Sequence, residues 1–217
     1  HDRKPVIAWE KSATNDCKIT DLAENRIQQV VRTAVTEQRL SENAIRSNSK
    51  EILKKIDLMV GEKLTNAAVI LFCKNERKQF IQSNLKLARF KGTDKREFID
   101  NKIIRGNIFD LYEHAMTFLR GYLPISGKIE EGNPFRVDTP AIPYKVLREA
   151  LVNALCHRDY SSPGGSISLA IYDDRVEVSS TGRLPNHISL KDLTRQHESH
   201  PRNPLIASVL YTCRMIE

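Results

Sequence analysis

Three polar side chains recur every fourth residue between 147 and 160: Glu149, Asn153 and His157. On a helix turning about 100° per residue they fall within a stripe of about 80°. Leu147, Ala150, Leu151, Ala154 and Leu155 would form the apolar face opposite. A carboxylate, an amide oxygen and an imidazole stacked a turn apart can hold Mg2+ and a water against a phosphate, because Mg2+ takes hard oxygen ligands and keeps several waters. An amphipathic helix with a polar outer face presents the same pattern, and spacing alone favours that plainer reading.

Neighbouring motifs exclude two other chemistries. His157-Arg158-Asp159 shares letters with a kinase catalytic loop, but Gly164 stands where the required Asn should be and no Asp-Phe-Gly follows. A phosphate-binding P-loop is absent as well: Ser126-Gly127-Lys128-Ile129 lacks both its spacing and its hydroxyl. Asp173-Asp174 reads as a tight turn before it reads as a metal site. His197, Glu198 and His200 read as a polar loop before a ligand set. Arg202 suits a phosphate contact or a helix-start ion pair equally, and Trp9 reads as a core or interface residue.

The elements that must position these groups alternate in type. Residues 1–19 show no period and read as the edge of something upstream. A helix is expected from Thr20, capped by Thr20 or Asp21, with Leu22, Ile27, Val30, Val31 and Ala34 on one face. A second is capped by Ser49, with Ile52, Leu53, Ile56 and Met59 as its stripe. After a Gly61-Glu62 turn, residues 64–72 read as a buried strand and 85–90 as a second strand. Asn107 opens the clearest helix, which Pro124 stops. Residues 126–142 read as a long loop, and Pro143 begins the helix of the Glu149 stripe. Strands follow at 166–172 and 175–179, and a last helix begins near Pro204. The order is α+β, with helices on one sheet face.

Composition bounds the class. Of 217 residues 40% are hydrophobic and 28% charged, which suits a folded core. The longest apolar run, 67–73, is far shorter than the roughly 20 residues that cross a bilayer. No signal peptide is recognisable. The four cysteines form no close pair and read as free thiols of a reducing cytoplasm. Lys and Arg exceed Asp and Glu by 34 to 27, and the whole excess lies in residues 1–110. It centres on Arg77, Lys78, Lys86, Arg89, Lys91, Lys95 and Arg96, a charge that attracts phosphate backbones without reading sequence. A merely solvated face is the slightly stronger reading, so DNA is a non-specific partner at most.

Residues 147–160, 164–185 and Pro201-Arg202-Asn203-Pro204-Leu205-Ile206-Ala207 together resemble the C-terminal domain of RecG-related proteins. Residues 63–72, Ala88-Arg89-Phe90-Lys91-Gly92, Asp100-Asn101 and Gly106-Asn107 extend the resemblance upstream. It implies a GHKL-like two-layer α/β sandwich that binds ATP with Mg2+, in a DNA-associated transcriptional regulator whose AlbA/Schlafen-type domain lies upstream. It divides the chain into a helical segment, 1–60, and a GHKL-like domain, 61–217. By the same resemblance Glu149 orients the attacking water and Asn153 holds Mg2+. His157, Arg158, Asp159, Ser180, Gly182, Arg202 and Asn203 fall on nucleotide-site positions. The sequence departs from the pattern where Ser180 replaces the adenine-binding Asp and Leu184 a Gly. The opening His1 and the stop at Glu217, before a Gly-rich lid, suggest a fragment. A non-enzymatic interaction or dimerisation module with a degenerate site is therefore the alternative, and a homo-oligomer suits either.

Overall fold

The computed structural model describes residues 8–129, 136–182 and 201–216. The chain begins with α1 (Glu24–Thr36), α2 (Ser49–Lys55), a two-residue ladder of β1 (Met59–Val60) with β2 (Lys63–Leu64), and α3 (Asn66–Phe72). Next come β3 (Asn84–Phe90), β4 (Phe98–Arg105), α4 (Ile108–Tyr122) and a hairpin of β5 (Ile125–Ile129) with β6 (Arg136–Pro140). The chain continues with α5 (Tyr144–His157), β7 (Ile167–Ile171), β8 (Val176–Ser180) and α6 (Pro204–Thr212).

The main sheet runs β4-β3-β7-β8, with β3 antiparallel to β4 and parallel to β7, and β7 antiparallel to β8. Leu85, Leu87, Ile167, Leu169 and Ile171 alternate toward one face and are buried. On that face α4 packs on β3, β4 and β7, and α5 on β8. The other face carries Lys86, Ala88, Ser168, Ala170 and Ser179, none of them buried. This is the expected α+β sandwich of one sheet and one helical layer. Behind it α3 lies on α4, α6 on α5, and α1 touches both α3 and α6. One apolar core runs through all of these, from Leu22 to Leu210.

Several local expectations are corrected. Residues 64–72 are not a strand: the Thr65 hydroxyl accepts the Ala68 amide at 3.2 Å and opens helix α3. Every residue of α3 is buried, so no polar face betrayed its period. The partner of β3 is instead 98–105, where exposed side chains on both faces hide the alternation. The stretch 126–142 contains the β5–β6 hairpin, which buries no face at Ile125–Gly127 and so left no pattern. Finally, Thr20 and Asp21 do not cap α1, which starts at Glu24. Asp21 instead accepts the Lys18 amide at 2.9 Å and the Lys78 ammonium at 2.8 Å, which hold its carboxyl at about 2. Asn48, not Ser49, caps α2, and Met59 lies in β1 rather than on the α2 stripe.

The first described residues belong to the core. Trp9 packs edge-on against Phe80 and stacks over Tyr160, and the Thr14 amide donates to Leu64 O at 2.8 Å. All four cysteines are free; the Cys17 and Cys73 sulfurs lie 3.9 Å apart in the interior. No helix among the described residues is long and apolar enough to cross a membrane.

Candidate functional site

Helix α5 has two unlike halves. Along its body Leu147, Leu151, Val152, Ala154, Leu155 and Cys156 are buried. Ala150, expected on that face, is exposed, while Val152 and Cys156 are buried instead. Glu149 and Asn153 are both exposed, one turn apart. Among the described residues neither side chain has a hydrogen-bond or ion-pair partner.

At the C-terminal end every polar group is engaged. Asn203 Nδ2 donates to the carbonyls of Cys156 (2.7 Å) and Arg158 (2.8 Å), covering helix-end acceptors that would otherwise be orphaned. The Arg158 guanidinium is fully buried and donates to Gly165 O (2.5 Å) and Asp159 O (3.2 Å), while its Nε finds no acceptor. Burial pushes that guanidinium down from its usual range. The Tyr160 hydroxyl donates to Leu155 O at 3.0 Å, and Gln82 Nε2 donates to Tyr160 O at 2.9 Å. The Asp159 amide donates to Thr181 O at 2.7 Å, which ties the segment after α5 to the end of β8.

Helix α6 is held into this junction from the far end of the chain. Asn203 precedes Pro204 but caps nothing on α6. The buried Glu10 carboxylate accepts the Leu205 and Ile206 amides, at 2.9 and 3.1 Å. Burial pushes Glu10 up, and the two amides pull it back. Glu10, Gln82 and Tyr160 were not singled out as site residues. Nothing local signals Glu10, since its partners lie 195 and 196 residues away.

Gly182 completes the arrangement. A Cβ there would stand 3.3 Å from His157 O and 3.7 Å from both the Asp159 amide and Arg202 Nε. The bare backbone after β8 thus lies against the end of α5. Ser180, two residues earlier, faces the helical side of the sheet with Val178, opposite Ile167. His157 is half-buried; burial and then the Arg202 charge push its imidazole down, so it is neutral at neutral pH. Asp159 is held below the usual carboxylate range chiefly by the Ser161 hydroxyl, and Arg202 approaches it at 3.9 Å.

The structure therefore gathers His157, Asp159, Ser180, Gly182 and Arg202 around the α5–β8 junction, with Asn153 and Glu149 one and two turns back along the same helix. Arg158 and Asn203 are turned inward onto main-chain carbonyls. Leu184, His197, Glu198 and His200 lie outside the described residues. Among the described residues no three His, Cys, Asp or Glu side chains gather as a metal cluster.

The basic residues are dispersed and mostly neutralised. Lys78 pairs with Asp21 (2.8 Å), Arg89 with Asp173 (2.5 Å), Lys91 with Glu97 (3.2 Å) and Arg96 with Asp94 (2.7 Å). Arg77 lies in a short 3-10 turn, Lys86 on the open sheet face and Lys95 in the β3–β4 turn. The Asp173 carboxylate also accepts the Gly92 amide at 2.8 Å, so it locks two hairpins together rather than facing a metal.

Residues 164–217 match the family described as putative ATP-dependent DNA helicase recG C-terminal. The RecG-related resemblance holds over that segment. It comprises β7, β8 and α6, and it begins after α5, so Glu149 and Asn153 lie outside the matched RecG-related residues. Among solved structures the DIP2311 protein of Corynebacterium diphtheriae superposes with a TM-score of 0.71 at 15% identity. The superposition covers 96% of this chain and 40% of that one, and at that identity the likeness is one of fold. No curated protein matches the sequence.

Proposed function

We propose that residues 61–217 form a GHKL-like module that binds an adenine nucleotide with Mg2+ along the exposed stripe of α5. The observation that carries this reading is the pair Glu149 and Asn153: two hard-oxygen side chains, one turn apart on a rigid helix, both exposed and without partners among the described residues. Such a pair fits Mg2+, which binds proteins through one or two oxygens and fills its shell with waters and phosphate oxygens. When bound, the ion neutralises phosphate charge.

The chain's own residues then take distinct parts. Asn153 Oδ1 would hold the ion. Glu149, an exposed carboxylate, accepts a proton from the attacking water. The backbone at Gly182 allows close approach beside His157 O, which a Cβ would meet at 3.3 Å. The neutral His157 offers a hydrogen bond without adding charge. Ser180 supplies a hydroxyl to the base where the family pattern has a carboxylate, so base selection is weak. A role in a DNA-associated regulator rests on the resemblance, and the dispersed basic residues add no gathered surface to it.

Calorimetry with MgATP and a phosphate-release assay test this reading. Saturable binding that requires Mg2+ is expected, and Glu149→Gln should abolish release while leaving affinity within about threefold. Absence of binding at saturating nucleotide contradicts the proposal and leaves a non-enzymatic interaction module in its place.

A further inference from the structure

Strand β4 is the edge of the main sheet, and among the described residues nothing pairs with its outer side. It is not built like a protected edge. Ile99 and Ile103 are 55% and 64% exposed, and Phe98 is 55% exposed. Exposed apolar edges of this kind pair with other strands unless blocked.

The open hydrogen-bonding groups are identifiable. The Gly106 amide donates to Ser83 O, one pair beyond Asn84 opposite Arg105. Ladder bonds in an antiparallel pair fall on alternate residues, so the amides and carbonyls of Asn101 and Ile103 point away from β3. The register shift between Arg89, opposite Asp100, and Phe90, opposite Phe98, leaves Ile99 as the bulged residue at the hairpin-turn end of this stretch.

We propose that β4 pairs antiparallel with β4 of a second copy of this chain about a two-fold axis at Asn101, joining two four-stranded sheets into one. The order of side chains along the strand selects that partner and that register. With Asn101 opposite the partner's Asn101, Asp100 faces the partner's Lys102 and Ile99 faces the partner's Ile103. Each contact is made twice, as a two-fold axis requires. A shift of the axis by one residue either way places Asp100 against Asp100 or Lys102 against Lys102, and like charges directly opposite destabilise a strand pair. The axis at Asn101 also meets the open groups in phase: Asn101 belongs to the outward-pointing set, so it exchanges both main-chain bonds with its symmetry mate. Within the chain Asp100 already bonds Lys102 at 2.9 Å and the Tyr122 hydroxyl at 2.8 Å, which fixes its carboxylate at the sheet edge. The partner's Asp100 and the partner's Lys102 would complete an alternating set of four charges. This inference is independent of nucleotide binding.

Sedimentation velocity of the 217-residue chain across the micromolar range tests the proposal, with two variants. The wild-type chain should move toward twice its 24.8 kDa mass as concentration rises. Ile103→Lys, at an exposed position, should keep the circular dichroism spectrum and weaken dimerisation by about tenfold or more. Asn101→Cys should form a disulfide-linked dimer with oxidised glutathione, each bridge consuming two thiols and releasing two glutathione thiols, because facing residues of a bonded antiparallel pair lie within disulfide reach. Lys95→Cys, in the β3–β4 turn, serves as the exposed control. A chain that stays at 24.8 kDa at every concentration overturns the proposal. So does a dimer untouched by Ile103→Lys, or Asn101→Cys linking no faster than Lys95→Cys.

Discussion

The two halves of α5 differ in what their polar residues are for. Over the first half, Glu149 and Asn153 extend from a well-packed helix and bond to nothing among the described residues. Within the next turn, Arg158, Tyr160 and Asn203 are buried and spent on carbonyls of α5 and of the turn before β7. Free polar groups on a rigid element cost little stability and are available to a ligand, whereas buried ones are committed to architecture and costly to lose. The H-R-D-Y and R-N-P strings mix both kinds. Motif letters alone therefore overstate the site, and burial separates its working members from its supports.

Breaking the committed half should have the largest effect. Asn203→Leu leaves the Cys156 and Arg158 carbonyls buried without their amide donor. A loss of about 2–4 kcal/mol is expected in urea unfolding. Glu10→Ala should cost less, about 1–3 kcal/mol by the same measurement, because it strips the carboxylate from two helix-start amides that water can partly reach after the truncation.

Next in size is a pH effect at the boundary between the halves. His157 is depressed in the folded chain, so below about pH 6.5 the unfolded chain takes up a proton that the folded chain refuses. That contribution is fully present above the unfolded pKa and is lost as pH falls through the interval between the unfolded and folded values. Thermal midpoints compared with those of His157→Gln should show a gap that widens in the wild type's disfavour as pH drops, and a pH-independent gap would contradict the placement. Smallest of all, Glu149→Gln and Asn153→Ala should each alter stability by less than about 0.5 kcal/mol, as substitutions at unpartnered surface positions do.

Legibility in the sequence followed the same division. The body of α5, helix α4 with its Asn107 cap, and the β7–β8 hairpin each have one buried and one open face, and their periods are plain. Helix α3 has no open face, and β5 buries none of Ile125–Gly127, so neither leaves a period. The Glu149–Asn153 stripe could be read because helical spacing alone aligns it. The inward turn of Arg158 and Asn203 could not, since Arg and Asn are ordinarily surface residues and their acceptors come from elements brought together by the fold. The carboxylates that neutralise Lys78, Arg89 and Lys91 likewise become partners only through chain reversal, whereas Asp94 sits two residues from Arg96.

The central claim is that the free half of α5 is the working half. Titration of MgATP into Asn153→Ala, beside urea unfolding of the same protein, tests it most directly. Affinity at least about tenfold weaker than wild type is expected, with unfolding free energy unchanged. Equal affinity in Asn153→Ala and wild type, or a loss of affinity that merely tracks a loss of stability, would contradict it.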